Sequence, residues 1–463
     1  MSRTLNEYLS SLQGKTVAVV GIGVSNTPLI RLLLDAGISV TACDKRTAAD
    51  KDFAETVREL EQLGAKMQLG EGYLEGLSQD VIFRSPGIRP DVPEFTAAQA
   101  GGSVLTSEME VFFEICPCRI IAVTGSDGKT TTTSLIAEML KNADYTVHVG
   151  GNIGRPLLAD VPQIKKDDIA VLELSSFQLM TLRQSPQIAV VTNLSPNHLD
   201  IHTSMDEYRQ AKENIFLYQG GADMLVLNDE NEETRDMMKR ARAEVFSFRR
   251  QGTLTKGVFV EDGTICIAEQ GEKRALFSTE EILIPGVHNV ENYLAAIAVV
   301  KDLVSVSVMR HTAKTFPGVE HRIELVRTLE GVRYYNDSIA SSPTRTIAGL
   351  RAFPEKVILI AGGYDKKIPF EELGEEICGH VKSVILVGDT AEKIRDSIVN
   401  AKAYQEAKPD IMVVDTLAEA VSAAEKQAKS GDVVTLSPAC ASFDQFPNFA
   451  ARGKAFKDFV HGL

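Results

Sequence analysis

Short β-branched or apolar runs alternate with helical patterns almost from end to end of this chain. No other feature constrains the fold as much, because strand and crossover helix repeated in this order build βαβ units with parallel strands covered on both faces. The expected fold class is therefore α/β, in three domains, since 463 residues at roughly 100 to 200 residues per domain give about three. The first block, 1–107, opens with a strand over 16–20, turns at Gly21-Ile22-Gly23 and passes through a helix into a second strand over 39–43, a Rossmann-like pattern. The second, 108–318, opens with a strand over 119–124, bends through Gly125-Ser126-Asp127-Gly128 and enters a helix over 131–141; further strands are read at 170–174, 188–193 and 224–228. Its sheet should be mostly parallel and P-loop ATPase-like. Two alternating runs around Asp262-Gly263 mark a small antiparallel addition. The third block, 319–463, follows Phe316-Pro317-Gly318 and is again Rossmann-like, with strands at 332–336, 357–360, 384–387, 411–414 and 433–436.

Charge narrows the range of partners. Lys and Arg total 49 against 63 Asp and Glu, a net charge of -14, which argues against a nucleic-acid or membrane-surface binder while leaving room for a local basic pocket. The six cysteines are scattered without a C-x-x-C pair, as in a protein of a reducing compartment, and are read as free thiols. No apolar run approaches the ~18 residues of a membrane helix, and the polar start lacks a basic stretch followed by an apolar one. A cytoplasmic location and a monomer are expected.

The strongest local signal is Val123-Thr124-Gly125-Ser126-Asp127-Gly128-Lys129-Thr130-Thr131 between a strand and a helix. Backbone N–H groups at such a helix start can hold phosphate oxygens, Lys129 can meet the terminal phosphate charges and the Thr130 hydroxyl can reach Mg²⁺. The loop is shorter than a standard P-loop, since the first glycine of that pattern would fall on Val123. The plainer alternative is a tight turn with a surface lysine.

Gly21-Ile22-Gly23-Val24-Ser25-Asn26 looks like a dinucleotide fingerprint without its third glycine, and Asp44 ends the next strand where a ribose-binding acid would stand. An NAD site, another nucleotide site and a bare Rossmann turn stay equally open. Ser85-Pro86-Gly87-Ile88 reads as a phosphate-facing loop or a plain turn. Glu173 closes the strand before Leu174-Ser175-Ser176-Phe177-Gln178-Leu179, a place from which a carboxylate can reach Mg²⁺ or simply cap a helix. His198, in Ser195-Pro196-Asn197-His198-Leu199-Asp200, is by itself better explained as structural.

Taken in order, these pieces resemble the Mur ligase family, ATP-dependent amino-acid ligases of peptidoglycan precursor synthesis. The likeness runs from about Lys15 to Phe456. The loop at 123–131, Gly150-Gly151-Asn152-Ile153-Gly154, His288-Asn289 with Asn292, and His321-Arg322 are general to such ligases. The segments 174–179 and Ser437-Pro438-Ala439-Cys440-Ala441-Ser442-Phe443-Asp444-Gln445-Phe446 resemble its D-glutamate-adding branch.

The resemblance implies a role for each position. Gly23, Val24, Ser25, Asp44, Lys45 and Arg46, with Ser85, would hold the UDP part of UDP-N-acetylmuramoyl-L-alanine, and Asn152 would also touch that substrate. Gly125, Ser126, Asp127, Gly128, Lys129, Thr130 and Thr131 would hold ATP, whose nucleotide would also meet Asn292, Arg322 and Asp337. Thr130, Glu173, His198 and a carbamylated Lys212 would hold two Mg²⁺ ions. Ser341, Lys366, Ser442 and Phe449 would surround D-glutamate. Lys129, His198, Lys212 and Arg322 would be catalytic. Many relatives have a lysine after Asn336-Asp337-Ser338, where this chain has Ile339. Two rivals remain at this point: an NAD-dependent oxidoreductase resting on Gly21, Gly23 and Asp44, and a nucleotide-gated binding protein that needs neither Glu173, His198 nor Lys212.

Overall fold

The computed structural model describes residues 3–50, 53–196 and 201–463. Its strands form three sheets. The first orders its strands β3-β2-β1-β4-β5, where β1 is Val17–Val20, β2 Val40–Asp44, β3 Lys66–Leu69, β4 Val81–Arg84 and β5 Val104–Thr106, all parallel. β1 and β4 are buried along their whole length, which is why they read as unbroken apolar runs rather than alternating ones.

The second sheet runs β14-β13-β12-β11-β10-β9-β6-β8-β7. Its strands are β6 Arg119–Thr124, β7 Val147–Gly151, β8 Ile169–Glu173, β9 Ile188–Val191, β10 Met224–Asn228, β11 Glu244–Arg249, β12 Gly257–Glu261, β13 Thr264–Glu269 and β14 Glu272–Ser278. The pairs from β7 to β12 are parallel and the last two are antiparallel. Asp262 and Gly263 both have positive φ, the backbone a two-residue hairpin turn requires, so the expected antiparallel addition is present and one strand longer than read. Lys273 and Arg274 on the edge strand β14 are exposed, charges that discourage pairing with a second chain.

These two sheets belong to one compact unit, Met1–Thr279 with Glu291–Thr312. Their helices share one apolar core, in which Val19 and Phe83 of the first sheet join Phe112, Ile115, Leu158, Val161 and Leu172.

The second unit, Glu280–Val290 with Ala313–Leu463, holds the third sheet, ordered β15-β16-β20-β17-β18-β19. Here β15 is Glu324–Leu329, β16 Val332–Asn336, β17 Val357–Ala361, β18 Val381–Val387, β19 Asp410–Val414 and β20 Val433–Leu436. Only β15 is antiparallel to its neighbour. Alternate residues of β17 feed two separate cores: Val357, Leu359 and Ala361 on one face, Ile358 and Ile360 on the other.

In all three sheets the strand order reverses near a central strand, and ligands of open α/β sheets bind outside the carboxyl ends of strands at that reversal. The loops after β1 and β4, after β6, β8 and β9, and after β16, β17 and β20 are the ones so placed. All six cysteines are free and buried, and no helix among the described residues is long and apolar enough to cross a membrane.

Candidate active site

The loop after β6 is shaped by two glycines at which any side chain would be strained. Gly125 has φ 149°, and a Cβ there would sit 1.9 Å from Thr192 Oγ1; Gly128 has φ 77°, and its Cβ would sit 2.3 Å from Asn292 Oδ1. Gly128 precedes the helix Lys129–Lys141, and no side chain caps that helix. Its first-turn N–H groups and the positive end of its dipole are thus available to an anion. The loop is pinned from behind: the Asp127 N–H donates to Asn193 Oδ1 at 2.9 Å, Thr192 Oγ1 donates to the Asp127 carbonyl at 2.6 Å, and Ser126 Oγ donates to the Ser195 carbonyl at 2.9 Å. Thr131 is buried in the first turn, and Thr132 donates to Asn292 Oδ1 at 3.3 Å.

Lys129 curls back over the loop, its Nζ donating to the carbonyls of Gly125 at 2.9 Å and Ser126 at 2.8 Å. Thr130 Oγ1 donates to Glu173 Oε2 at 2.7 Å, and Asn152 Nδ2 donates to Glu173 Oε1 at 2.7 Å. Glu173 therefore joins β7, β8 and the loop helix in one polar cluster. Mg²⁺ takes oxygen donors, mostly one or two protein oxygens with phosphate and water completing the shell. The Thr130 hydroxyl and Glu173 carboxylate fit that demand. Among the described residues no group of three His, Cys, Asp or Glu is gathered to hold a metal unaided. His198 lies outside the described residues.

Lys212, on the helix Met205–Glu213, is 1% exposed. Its Nζ donates to the Gly125 carbonyl at 2.8 Å and to Thr124 Oγ1 at 3.2 Å, and lies 4.8 Å from the Tyr208 ring centre. Burial, reinforced by the Lys129 charge and opposed by Glu173 and Asp127, lowers its pKa well below the ordinary lysine value. The side chain thus sits beside a phosphate-type loop in surroundings that disfavour its charged form.

Sequence reasoning missed His202. Its ring stacks on Phe177 with centroids 5.2 Å apart, meets Tyr208 edge-on at 5.2 Å and pairs through Nε2 with Ser176 Oγ at 2.9 Å. The only sequence signal was its place four residues beyond His198.

In the first sheet, the structure brings Gly21 against Ser85: a Cβ on Gly21 would fall 2.6 Å from Ser85 Cβ. Gly23 is open and Val24 is 79% exposed, so the turn presents its backbone and one bare apolar side chain. Ser25 opens the next helix without a side-chain cap bond, and Lys45 is exposed. Asp44 points inward. It accepts from the Ile22 N–H at 2.7 Å, the Arg46 N–H at 2.9 Å and the Arg46 guanidinium. Burial works against its charge, but the Arg46 guanidinium and the two N–H groups outweigh it and hold the carboxyl below its ordinary range. Asp44 thus shapes the turn itself. Arg84, 1% exposed and also missed, donates to the carbonyls of Ser85, Pro86 and Ile88, to the Phe177 carbonyl and to Thr181 Oγ1.

The second unit gathers the remaining residues at the carboxyl ends of β16, β17 and β20. Asp337 is buried, accepts from Ser437 Oγ at 2.7 Å and the Ile323 N–H at 3.3 Å, and burial pushes its carboxyl up to about 7 against the pull of Arg322 and Arg345. Arg322 itself is exposed. Lys366 Nζ reaches the Ser341 carbonyl at 3.3 Å. Ser442 is buried, and Phe449, half exposed, meets the His321 ring edge-on at 6.0 Å. Another missed residue, Arg452, 4% exposed, ties these loops together: it donates to Ser338 Oγ and the carbonyls of Ser338, Cys440 and Ala441. Ile339 has its backbone held by the His321 carbonyl and the Arg345 guanidinium.

Comparison with known proteins agrees with this arrangement. Residues 123–300 match the model of the Mur ligase middle domain, and 321–440 that of the Mur ligase glutamate ligase domain. The UDP-N-acetylmuramoylalanine--D-glutamate ligase of Acetivibrio thermocellus is 51% identical over 466 residues, and that of Clostridium beijerinckii 50% identical over 464, both covering all of each chain. Among solved structures, a UDP-N-acetylmuramate-alanine ligase from Thermotoga maritima superposes with TM-score 0.56 at 19% identity over 97% of this chain and 99% of its own. A UDP-N-acetylmuramoyl-L-alanyl-D-glutamate--2,6-diaminopimelate ligase gives 0.58 at 19% identity over 84% and 93%. Sequence identity along the full length, two domain models and the fold all point the same way: the chain belongs to the Mur ligase family.

Proposed function

We propose that this chain is an ATP-dependent ligase that joins D-glutamate to UDP-N-acetylmuramoyl-L-alanine through an acyl phosphate, releasing ADP and phosphate, in cytoplasmic peptidoglycan precursor synthesis. The observation that carries this reading is the meeting of Lys129 and Lys212 on the Gly125 carbonyl, beside a helix start whose Thr130 is joined to Glu173 and through it to Asn152. The names borne by relatives about half identical over their whole length supply the substrates. Its working divisions are 1–107 for the UDP-substrate, 108–318 for ATP and 319–463 for the amino acid, acting as a monomer.

A carboxylate attacking the γ-phosphate brings anions together, so the site must offset their repulsion. Lys129, freed from the loop carbonyls by a bound nucleotide, carries its charge to the transferring phosphoryl group, and Arg322 adds a second charge. Thr130, Glu173, His198 and carbamylated Lys212 would hold two Mg²⁺ ions, which would supply neutralisation of the phosphate charge in the same place. Asn152 orients Glu173 and touches the UDP-substrate. Gly23, Val24, Ser25, Asp44, Lys45, Arg46 and Ser85 hold the UDP part of the substrate, Asp44 also keeping their turn in shape. Asn292 and Asp337 bind the nucleotide. Lys366, Ser442, Ser341 and Phe449 hold D-glutamate, whose two carboxylates call for a cation and several donors. Its amine then attacks the activated carbonyl and phosphate departs.

The deciding experiment measures phosphate release with ATP and UDP-N-acetylmuramoyl-L-alanine against a panel of amino acids. Release that requires both the UDP-substrate and D-glutamate supports the reading; release with another amino acid, or none, overturns it.

A further inference from the structure

The helix Met205–Glu213 touches the phosphate loop at two places. Tyr208 OH pairs with Ser126 Oγ at 3.1 Å, and Lys212 Nζ reaches the Gly125 carbonyl at 2.8 Å. The helix N-terminus is fastened elsewhere, to the turn that follows β4. Arg89, directly after Ser85-Pro86-Gly87-Ile88, sends a fork of two hydrogen bonds to Glu207, 3.1 and 2.7 Å long, and a third to the Ile201 carbonyl at 2.7 Å. Asp91 holds the same guanidinium from the other side through 2.8 and 2.7 Å bonds.

Glu207 is the hub of this attachment. Besides Arg89 it accepts from the Thr203 N–H at 2.6 Å and lies 3.6 Å from His202 Nδ1, while its own N–H is capped by Ser204 Oγ at 3.1 Å. Arg89 and Glu207 are separated by 118 residues, and both side chains are about three-quarters buried. A paired, two-pronged guanidinium–carboxylate contact fixes direction as well as distance. Arg84 reinforces it from the buried side, joining the carbonyls of the same turn to Phe177 and Thr181. The turn at 85–88 is thus gripped at both ends, by one arginine leading to the helix Ser176–Leu179 and another leading to the helix that carries Lys212.

We infer that Arg89 and Glu207 are positioning residues that couple the UDP-substrate turn to the Lys212 helix, so that seating the substrate and presenting the Lys212 side chain to the phosphate loop depend on each other. The inference rests on the proposed function, in which Ser85 holds substrate and Lys212 works as a carbamate. Neither Arg89 nor Glu207 reaches the loop, so their effect passes through the helix. Loosening the helix start leaves Lys212 less firmly held and its carbamate more easily lost.

The test compares Arg89→Ala, Glu207→Gln and the double variant of the full chain in steady-state phosphate release, with and without added bicarbonate, folding being checked by circular dichroism. Each single variant should lose about tenfold to a hundredfold in kcat, as small misplacements at a reacting centre do. The double variant should be no worse than the poorer single, because both changes break one contact. Bicarbonate should restore part of the loss in all three while leaving wild type unchanged. Unaltered kcat in folded single variants, losses that multiply in the double, or losses indifferent to bicarbonate would each overturn the inference. Lys212→Ala is run beside them: full activity there would refute the carbamate reading itself, whereas an inactive Lys212→Ala with wild-type-like Arg89→Ala would refute only the coupling.

Discussion

Lys129 and Lys212 donate to the same acceptor, the carbonyl of Gly125, at 2.9 and 2.8 Å. Two ammonium ions on one buried oxygen repel each other, and the cost is relieved if one of them gives up its proton. Lys212 is the one pushed that way, since burial and the Lys129 charge both lower its pKa. In the proposed function a neutral Lys212 amine would capture CO₂, and the resulting carbamate would reverse the local charge. Lys212→Ala should therefore be inactive, and acetate, entering the vacated space, should restore part of the phosphate release. Full turnover without any added acid would show that the side chain is not required.

Lys129→Ala should leave the fold intact, because the ammonium lies on the loop carbonyls of Gly125 and Ser126 and the side chain is not part of the apolar core of its unit. Turnover should nevertheless drop by at least ~100-fold, the scale of a lost charge donor in a transition state. Circular dichroism and phosphate release, measured on the same preparation, decide this; wild-type release from a folded variant refutes the role.

Much of the fold could be read in advance where burial on both faces leaves an unbroken apolar run. β6, β10, β16 and β20 have the bounds that their runs mark out. β7 escaped notice because it ends in Gly150-Gly151, and β14 because its first residues are charged and exposed. The loop helix begins at Lys129 rather than 131, since Gly128 supplies the left-handed start. At the site, motif residues were legible because their neighbours in sequence are their neighbours in space. Arg84, Arg89, His202 and Arg452 were not, because their partners lie far away along the chain or are backbone carbonyls, which no side-chain pattern records. Asp44 shows what a motif leaves unread: its place fits a ribose acid, and the structure adds that Arg46 and two N–H groups engage both of its oxygens.

Specificity for the amino acid is assigned to the second unit. Lys366→Ala should raise the KM for D-glutamate at least about tenfold, the loss of a charge-assisted bond, and leave binding of the UDP-substrate near its original strength. Titration of both substrates separates the cases, and an equal weakening of the two would speak for a structural lysine.

Glu108 makes a prediction about stability. It is buried on the helix Glu108–Ile115, accepts from the Leu158 N–H at 3.2 Å, and burial pushes its carboxyl up to about 7. The folded chain thus keeps a proton that the unfolded chain releases near 4.5. Folding takes up that proton between these values, so stability should fall as pH rises through the window and level off above about 7. Glu108→Gln, neutral at every pH, removes this slope; the difference should grow to a few kcal/mol, at about 1.4 kcal/mol per unit of displacement. Thermal unfolding of both proteins at about pH 5 and about pH 7.5 tests it, and parallel behaviour would sink the idea.

The loop after β6 also says something about how this protein can vary over generations. Gly125 is walled by Thr192, Gly128 by Asn292 and its own left-handed backbone, and Ser126 is held through its hydroxyl by Ser195 and Tyr208. Asp127 alone is exposed there, its backbone anchored and its side chain outward. A library randomised across these four codons and selected for growth should return three of them nearly unchanged and scatter only the third. Descent can explore this loop along one coordinate, and drift elsewhere in the chain must accommodate the other three.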